Sequence, residues 1–214
     1  SGIDAAELLA DGSVVVADAM RRLRVYDPAG GLRAELELPA RIMSLQREGA
    51  RLVALPSYAG EAGPPLIVDL AHHPEVVARL EGHVGWVYSA HWVPGERVLT
   101  AGADGTARLW NGATGRLLRT FRGTARYLAD ATLTPDGMVV AGDADGLLRF
   151  WDADTGNSLW TLAAHKSAVS GVRLEGADIV TRGFTGEISR WRLPAASAVI
   201  DACSRHTPCA IVSQ

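Results

Sequence analysis

Cysteine is scarce in this chain, which excludes the disulfide-rich class of small secreted domains. Only two cysteines occur among 214 residues, Cys203 and Cys209, and both lie close to the C-terminus. A secreted domain that depends on disulfides distributes several pairs through its length. We therefore expect a reducing, cytoplasmic environment, with a disulfide between these two cysteines only where the compartment is oxidising.

Long apolar runs and an excess of charge of one sign are also missing. No stretch approaches the roughly 20 apolar residues that span a bilayer. Lys and Arg number 21 against 24 Asp and Glu, a net charge of -3. A nucleic-acid groove usually needs a concentrated excess of basic residues. We expect neither a membrane nor a nucleic acid as partner.

The motifs of common enzyme classes do not occur either. There is no Gly-rich phosphate loop, no nucleophile elbow and no His-Glu-x-x-His helix. Cys203, His206 and Cys209 offer three zinc ligands, whereas a structural zinc site normally has four. The stretches 143–146 and 152–154 resemble parts of calcium loops but lack the spaced Glu of such loops, so we interpret them as turns. We expect a non-enzyme without catalytic residues, metal or cofactor.

What the sequence does contain is a repeat. Five short segments share one alternating pattern, clearest in Leu109-Trp110-Asn111 and Phe150-Trp151-Asp152. Their last positions are 27, 69, 111, 152 and 192, so successive copies are about 40 residues apart, a spacing typical of repeat architectures. A turn signal precedes each ending, for example Pro94-Gly95, and a short β-branched run follows the turn. The spacing indicates one structural unit repeated five times.

Each unit has the pattern of a small antiparallel sheet. Short alternating strands separated by turn residues are typical of antiparallel β-structure, and four strands in about 40 residues form one blade of a β-propeller. We predict an all-β fold, a β-propeller built of four-stranded antiparallel blades, with about five blades in this chain. Residues 1–192 form the blades, and residues 193–214 hold a possible last outer strand and a C-terminal tail.

The best-formed unit resembles a WD repeat from Gly82-His83 to Leu109-Trp110-Asn111. The resemblance covers residues 3–192 and is strongest in the three later units. It implies a buried polar tetrad in each blade, which here is His83, Thr100, Asp104 and Trp110. It also implies that His83 and Asp104 are structural and not a catalytic pair.

The other units keep only part of this tetrad. The fourth retains Asp145 and Trp151. The fifth retains His165, Thr181 and Trp191 but has Thr185 in place of Asp, and in the first Met20 occupies the Asp position. We expect these blades to depend more on apolar packing.

The number of units raises the question of ring closure. WD-repeat propellers usually close at seven or eight blades, and an open arc leaves bare strand edges. We expect a fragment whose missing blades lie upstream or on a second chain. A compact five-bladed ring and the self-association of two arcs are the alternatives.

The resemblance also places the contact surface. The family's favoured contact positions are three and five residues after the Gly-His histidine, and the residue just before the blade's Asp. Aromatic residues and Arg commonly anchor protein interfaces. Transferred to this chain, these offsets give the candidate partner-binding residues Trp86, Tyr88, Tyr127, Phe184, Arg41, Met43 and Ser170.

These observations favour a non-catalytic scaffold or sensor module. It would bind a protein or peptide through one propeller face, as the regulatory part of a larger protein. One alternative is the substrate-binding part of a propeller enzyme, for which Asp4, Arg41 and Ser170 are the best polar groups. Another is a purely structural subunit.

Overall fold

The structure is a computed structural model, and it describes residues 2–58, 63–123 and 126–192. Within these ranges the chain forms strands joined by turns, and no helix among them has the length and hydropathy needed to cross a membrane. The possible last outer strand and the cysteine-containing tail, residues 193–214, lie outside the described residues.

The strands fall into five consecutive groups, which we number as blades 1 to 5. Blade 1 contains β1 (Ile3–Leu8), β2 (Val14–Asp18), β3 (Arg22–Tyr26) and β4 (Leu32–Glu37). Blade 2 contains β5 (Ile42–Glu48), β6 (Arg51–Pro56), β7 (Leu66–Asp69) and β8 (Glu75–Arg79). Blade 3 contains β9 (Val87–Val93), β10 (Arg97–Gly102), β11 (Thr106–Asn111) and β12 (Leu117–Arg122). Blade 4 contains β13 (Leu128–Leu133), β14 (Met138–Asp143), β15 (Leu147–Asp152) and β16 (Ser158–Ala163). The described part of blade 5 contains β17 (Val169–Glu175), β18 (Asp178–Gly183) and β19 (Ile188–Arg192).

Each blade is an antiparallel sheet whose strands pair in chain order. Tight turns make this possible, because glycines at the second turn position adopt a positive φ that other residues rarely adopt. Gly95 and Gly137, at the turns between the first two strands of blades 3 and 4, have φ values of 85° and 81°. The prediction of an all-β propeller with about five four-stranded blades is confirmed.

The hydrophobic core is divided among the interfaces between blades. Four buried clusters each join two consecutive blades. Between blades 3 and 4, for example, Leu99 and Phe121 pack with Leu128, Val139 and Trp151. Each sheet therefore buries apolar side chains on a neighbouring sheet, which is how repeated units that cannot form a core alone become stable.

The first strands of the blades lie next to each other along the inside of the arc. β1 contacts β5, β5 contacts β9, β9 contacts β13, and β13 contacts β17. We call these five strands the inner strands. They begin at one end of the blades, which we call the upper rim, and they end at the lower rim.

Candidate functional site

One backbone hydrogen bond recurs in every blade and defines the upper rim. It joins the segment entering the inner strand to the turn after the second strand. In blade 3 the amide of Ala103 donates to the carbonyl of Trp86 at 2.8 Å. The equivalent bonds are Ala19 to Gly2, Ser57 to Arg41, Ala144 to Tyr127, and Phe184 to Ala168. The upper rim thus consists of these entering segments and these turns, and several of the predicted contact positions lie on it.

A second repeated feature is a β-bulge near the start of each inner strand. The pairing register shifts by one residue there in all five blades. The extra residues are Asp4, Met43, Tyr88, Ala129 and Ser170. A bulge leaves one residue out of the ladder and redirects its side chain. The bulge is the physical reason why the contact position five residues after the Gly-His histidine, Tyr88 in blade 3, is available at the rim.

Three of the predicted aromatic residues meet at this rim. The ring centroids of Tyr88 and Tyr127 are 5.2 Å apart with an interplanar angle of 64°. Tyr58 lies 5.5 Å from Tyr88 and 5.7 Å from Trp86, again edge to face. Such T-shaped contacts are the favoured geometry of aromatic pairs. We call Tyr58, Trp86, Tyr88 and Tyr127 the aromatic cluster; it extends over blades 2, 3 and 4.

Sequence reasoning missed Tyr58. It lies in the connection between β6 and β7, which is longer than the corresponding turns of the other blades, so no repeat offset points to it. Its hydroxyl donates to the backbone carbonyl of Tyr88 at 3.1 Å. Burial, followed by the nearby Tyr88, raises the pKa of Tyr58 to about 12. The phenol therefore stays neutral near pH 7 and keeps this hydrogen bond, which holds the blade 2 connection against blade 3.

The remaining predicted residues lie outside the cluster. Phe184 is on the upper-rim turn of blade 5 and is 78% exposed. Met43 is partly exposed on β5, and Arg41 forms a bidentate ion pair with Asp4. The hydroxyl of Ser170 donates to the carbonyl of Arg182 at 3.2 Å. Because Asp4 and Arg41 bind each other and Ser170 bonds to backbone within its own blade, none of them is arranged as a general base or an activated nucleophile.

Beneath the upper rim of blade 3 lies the polar tetrad. The indole N–H of Trp110 donates to Thr100 Oγ1 at 2.9 Å. Thr100 Oγ1 lies 2.7 Å from His83 Nε2, and His83 Nδ1 lies 3.0 Å from Asp104 Oδ1. Since a carboxylate only accepts, the His83 proton is on Nδ1, and Thr100 donates to Nε2. Every member of this relay is satisfied.

The burial and protonation of this tetrad fit a structural role. The His83 side chain is only 2% exposed, and both of its ring nitrogens have partners within the tetrad. Burial lowers the pKa of His83, and the neighbouring Asp104 only partly offsets this effect. Burial alone would raise the pKa of Asp104, but hydrogen bonds from Thr106, His83 and Val84 hold it below its usual value. The pair is a neutral imidazole bonded to a carboxylate.

Blade 5 rebuilds the tetrad with a different carboxylate. His165 Nε2 lies 2.8 Å from Thr181 Oγ1, which also accepts the indole N–H of Trp191 at 2.9 Å. Thr185 stands where blade 3 has Asp104, and Glu187, two residues later, supplies the missing charge. Its carboxylate is 3.6 Å from His165 Nδ1 and accepts a hydrogen bond from Thr185.

Blades 1 and 4 use another arrangement, in which a buried carboxylate pairs with an arginine. That these blades depend more on apolar packing stays a prediction. In blade 4 the buried carboxylate is Asp143, whereas Asp145 is half exposed. Asp143 accepts from Arg149 Nε at 2.7 Å and from the amides of Asp145 and Leu147 at 2.9 Å each.

Blade 1 repeats this arrangement with Asp18. Its carboxylate accepts from Arg24 Nη1 at 2.7 Å and from the amides of Met20 and Arg22. Both aspartates occupy the position that is Gly102 in blade 3. There a Cβ would lie 2.7 Å from His83 Nδ1, so a blade accommodates either the histidine or this aspartate.

Within residues 2–58, 63–123 and 126–192, no three His, Cys, Asp or Glu side chains come together as possible metal ligands. The Asp143–Gly146 stretch and the Asp152 turn are turns, as interpreted from the sequence, since Asp143 and Asp152 accept hydrogen bonds from the amides that follow them. Cys203, His206 and Cys209 lie outside the described residues.

A family model described as "WD domain, G-beta repeat" matches residues 74–111 and 115–152. The first match ends with β11 and the second ends with β15. Residues 74–111 and 115–152 are therefore similar to WD repeats. WD-repeat propellers generally mediate protein–protein interaction and are typically non-catalytic. No curated protein sequence matches the chain at a significant level.

Several solved structures have the same fold. A chain of the mitotic checkpoint complex matches with a TM-score of 0.74 at 18% identity, covering 91% of this chain and 62% of that one. The C-terminal WD40 domain of Sif2 matches with a TM-score of 0.71 at 19% identity, covering 90% and 56%. The computationally designed Ika8 protein matches with a TM-score of 0.57 at 20% identity, covering 90% and 71%. At these identities the likeness shows the fold alone, and the chain spans less than two thirds of the two natural neighbours.

Proposed function

We propose that this chain is a scaffold that binds a protein or peptide through its upper rim. The observation that carries the proposal is the aromatic cluster, in which four partly exposed rings from three blades lie side by side. Aromatic residues are enriched at the energetic centres of protein interfaces, because they offer a large rigid surface with a polar handle. Isolated exposed aromatics would not support the proposal in this way.

Other apolar side chains extend this surface along the same rim. Met20 in blade 1, Val84 in blade 3 and Phe184 in blade 5 are 64%, 75% and 78% exposed. All three lie in upper-rim turns or entering segments. A series of exposed apolar residues along one face is typical of an interaction surface.

The charges of this rim are largely paired within the chain. Arg41 binds Asp4, Arg108 lies 3.2 Å from Asp104, and Arg126 lies 3.8 Å from Asp145. A strongly charged partner would have to break such pairs. We therefore infer that the partner presents an apolar or aromatic segment to this rim.

A depression beside the cluster is suited to one anchoring side chain. It has a volume of about 220 Å³ and lies between the Gly63–Pro64 stretch and residues 80–87. The buried side chains of Leu80 and Val87 line it. Interface anchors commonly fill such small desolvated pockets.

The proposal is tested with peptide ligands selected on the chain itself. A phage-displayed random peptide library is panned on the full chain, and enriched peptides are measured by calorimetry. We expect them to bind the Trp86→Ala/Tyr127→Ala variant about 30-fold more weakly or worse, since a hot-spot aromatic contributes about 2 kcal/mol. Circular dichroism and the melting temperature report whether the variant is folded.

The matched control places two alanines at the opposite rim. Leu32 and Leu117 are exposed apolar residues where β4 and β12 begin, so Leu32→Ala/Leu117→Ala removes apolar surface away from the cluster. We expect unchanged affinity in this variant. Equal affinity of the wild type and the Trp86→Ala/Tyr127→Ala variant would refute the placement of the site.

A second proposal concerns the outward side of blade 5. A cavity of about 410 Å³ lies there, lined by Val172, Val180 and Ile188 among others, and Ile188 is 68% exposed. In blades 1 to 4 the corresponding interfaces are covered by the next blade. We propose that further blades, on a second chain or on additional residues of the same polypeptide, cover this side. Light scattering of the purified chain tests whether a second copy covers blade 5, since a strictly monomeric mass excludes it.

A further inference from the structure

A chain of polar groups crosses four inner strands just below the aromatic cluster. Gln46 Nε2 on β5 lies 2.8 Å from His91 Nδ1 on β9. His91 Nε2 lies 2.7 Å from Asp130 Oδ1 on β13. The other oxygen of Asp130 accepts the amide of Val172 on β17 at 2.8 Å. We call these groups the polar chain; it links blades 2, 3, 4 and 5.

The donors and acceptors of the polar chain can be assigned. Trp92 donates its backbone N–H to Gln46 Oε1 at 3.1 Å, so the amide nitrogen of Gln46 faces His91. Since an amide NH2 only donates, His91 Nδ1 must accept, and the ring proton is on Nε2, where Asp130 accepts it. This network requires a neutral His91 in one tautomer.

Protonation of His91 conflicts with this assignment. A proton on Nδ1 would face the NH2 group of Gln46, which cannot accept it. The Gln46 amide could rotate to present its oxygen, but the Trp92 amide would then lose its acceptor. The bond to Asp130 would become an ion pair and strengthen, because charge-assisted hydrogen bonds are the stronger ones. A single proton therefore weakens the link to blade 2 and strengthens the link to blade 4.

Asp130 is the charged group that changes the pKa of His91. β9 packs against β5, β6, β10 and β13, whose charged residues are Arg47, Glu48, Arg51, Arg97 and Asp130. Arg47 donates to the carbonyl of Gly49, Arg97 donates to that of Pro94, and Arg51 binds Asp69. Glu48 is an exposed residue at the lower end of β5. Burial opposes protonation of His91, but the hydrogen bond and charge of Asp130 outweigh it and raise the pKa of His91 above its usual 6.5.

The aromatic cluster lies at or next to the ends of strands that carry the polar chain or pair with it. His91 follows Tyr88 by three residues on β9, and Asp130 follows Tyr127 by three residues at β13. Tyr58 follows β6, the strand that pairs with β5 and its Gln46. A change in how β9 is held between β5 and β13 therefore acts on the strands that position the four rings.

We propose that protonation of His91 exchanges its hydrogen bond to Gln46 for a stronger pair with Asp130, and that this exchange regulates the aromatic cluster by pH. The regulatory part rests on the proposed function. The exchange itself is a property of the free chain and can be measured without any partner.

The exchange is tested by NMR on the full chain. Above its pKa we expect the His91 ring to carry its proton on Nε2. As His91 titrates, the backbone amide of Trp92 should change its chemical shift with the same midpoint. Its hydrogen-exchange protection, relative to the intrinsic rate at each pH, should fall roughly five- to tenfold on protonation of His91, because the amide loses one hydrogen bond. A Trp92 amide that does not respond while His91 titrates would overturn the proposal, as would an Nδ1-protonated neutral ring.

Gln46→Glu is the informative variant. A carboxylate accepts from both the charged His91 ring and the Trp92 amide, so the midpoint of His91 should rise and the Trp92 response should disappear. His73→Asn, in the exposed loop before β8, is the matched control and should leave both signals unchanged. A Trp92 response that persists in Gln46→Glu would contradict the assigned network.

The regulatory part is measured separately. Peptides selected on the wild-type chain should change affinity across the His91 midpoint in the wild type but not in Gln46→Glu. If the peptides bind the Trp86→Ala/Tyr127→Ala variant with unchanged affinity, the proposed function fails while the Trp92 result stands. If they require the cluster but bind equally well on both sides of the midpoint, the regulatory inference fails alone.

Discussion

At the scale of single residues, the protein depends on buried polar side chains that hydrogen-bond to one another within a blade. In blade 3 the hydroxyl of Thr100 accepts from Trp110 and donates to His83, and it is fully buried. A buried polar group that loses its partner costs free energy because neither water nor protein then satisfies it. Removing a single polar atom from the tetrad should therefore measurably lower the free energy of unfolding.

The first prediction concerns Thr100→Val, which keeps the shape of the side chain and removes the hydroxyl. We expect the free energy of unfolding to fall by about 2–4 kcal/mol, because both the Trp110 indole and the His83 ring lose a partner. Urea denaturation measures the change. Thr161→Val on the exposed side of β16 is the control and should stay within about 0.5 kcal/mol of the wild type; similar losses in both variants would contradict the role of the relay.

The second prediction concerns pH. The pKa of His83 is lowered on folding, so the unfolded chain binds this proton more readily and stability is lost as pH falls below about 6.5. The pKa of His91 is raised on folding, so its contribution is fully present below that value and is lost as pH rises through the folded pKa. The two effects oppose each other.

His91→Asn separates these two effects. With the His91 contribution removed, the free energy of unfolding should fall more steeply between pH 7.5 and pH 5 than it does in the wild type. Urea denaturation at a series of pH values gives the two curves. Parallel curves would show that His91 does not stabilise the folded chain at low pH.

At the scale of the blade, two interchangeable arrangements fix the turn after the second strand. Blades 3 and 5 use histidine, threonine, tryptophan and a carboxylate, with glycine where the histidine approaches. Blades 1 and 4 use a buried aspartate bonded to an arginine six residues later, Asp18 with Arg24 and Asp143 with Arg149. Both arrangements tie the second strand to the third and leave the apolar faces free for packing between blades.

The third prediction tests the arginine arrangement. Arg149→Met removes the cation from Asp143, whose side chain is only 2% exposed. Breaking a buried ion pair by removing one partner costs about 3–5 kcal/mol, and we expect a loss in this range by urea denaturation. Arg122→Met at the exposed end of β12 is the matched control. A loss in Arg149→Met no larger than in the control would mean that the pair is not needed.

The sequence predicted the blades because their period depends on local signals. Turn glycines and the third-strand endings recur in every unit. The glycines reflect the tight turns between strands, and the endings reflect the alternation of side chains along a strand. The substitute carboxylates were missed because the WD-repeat pattern points to one position only. In blade 4 the buried carboxylate, Asp143, lies two residues before the position equivalent to Asp104. In blade 5 the carboxylate, Glu187, lies two residues after it. The spacing of six residues between Asp and Arg in blades 1 and 4 was nevertheless visible in the sequence.

The candidate site was partly predictable for a similar reason. Trp86, Tyr88 and Tyr127 follow from offsets within a repeat. The recurring backbone hydrogen bond fixes the positions of Trp86 and Tyr127, and the bulge fixes that of Tyr88. That Tyr88 contacts Tyr127, and that Tyr58 joins Trp86 to Tyr88, could not be inferred, because these contacts depend on how consecutive blades pack. Tyr58 lies in an insertion, where periodicity carries no information.

At the scale of the whole molecule, the chain is an arc of blades that presents apolar and aromatic side chains along one rim. The strands are used in pairing and packing, so the turns and entering segments are the parts that vary and can bind. The polar chain runs along the inside of the arc beneath this rim and connects the blades that carry the aromatic cluster. The proposed binding surface and the polar chain therefore belong to the same blades.

The central claim is that the upper rim is the binding face, and a hydrogen-exchange footprint tests it most directly. A peptide selected on the full chain is added at saturation, and amide exchange is compared with that of the free chain. The account predicts protection at Tyr58, at residues 84–88 and at residues 126–128. Protection at the lower-rim turns 94–96 and 134–137, with exchange in the aromatic cluster unchanged, would contradict it.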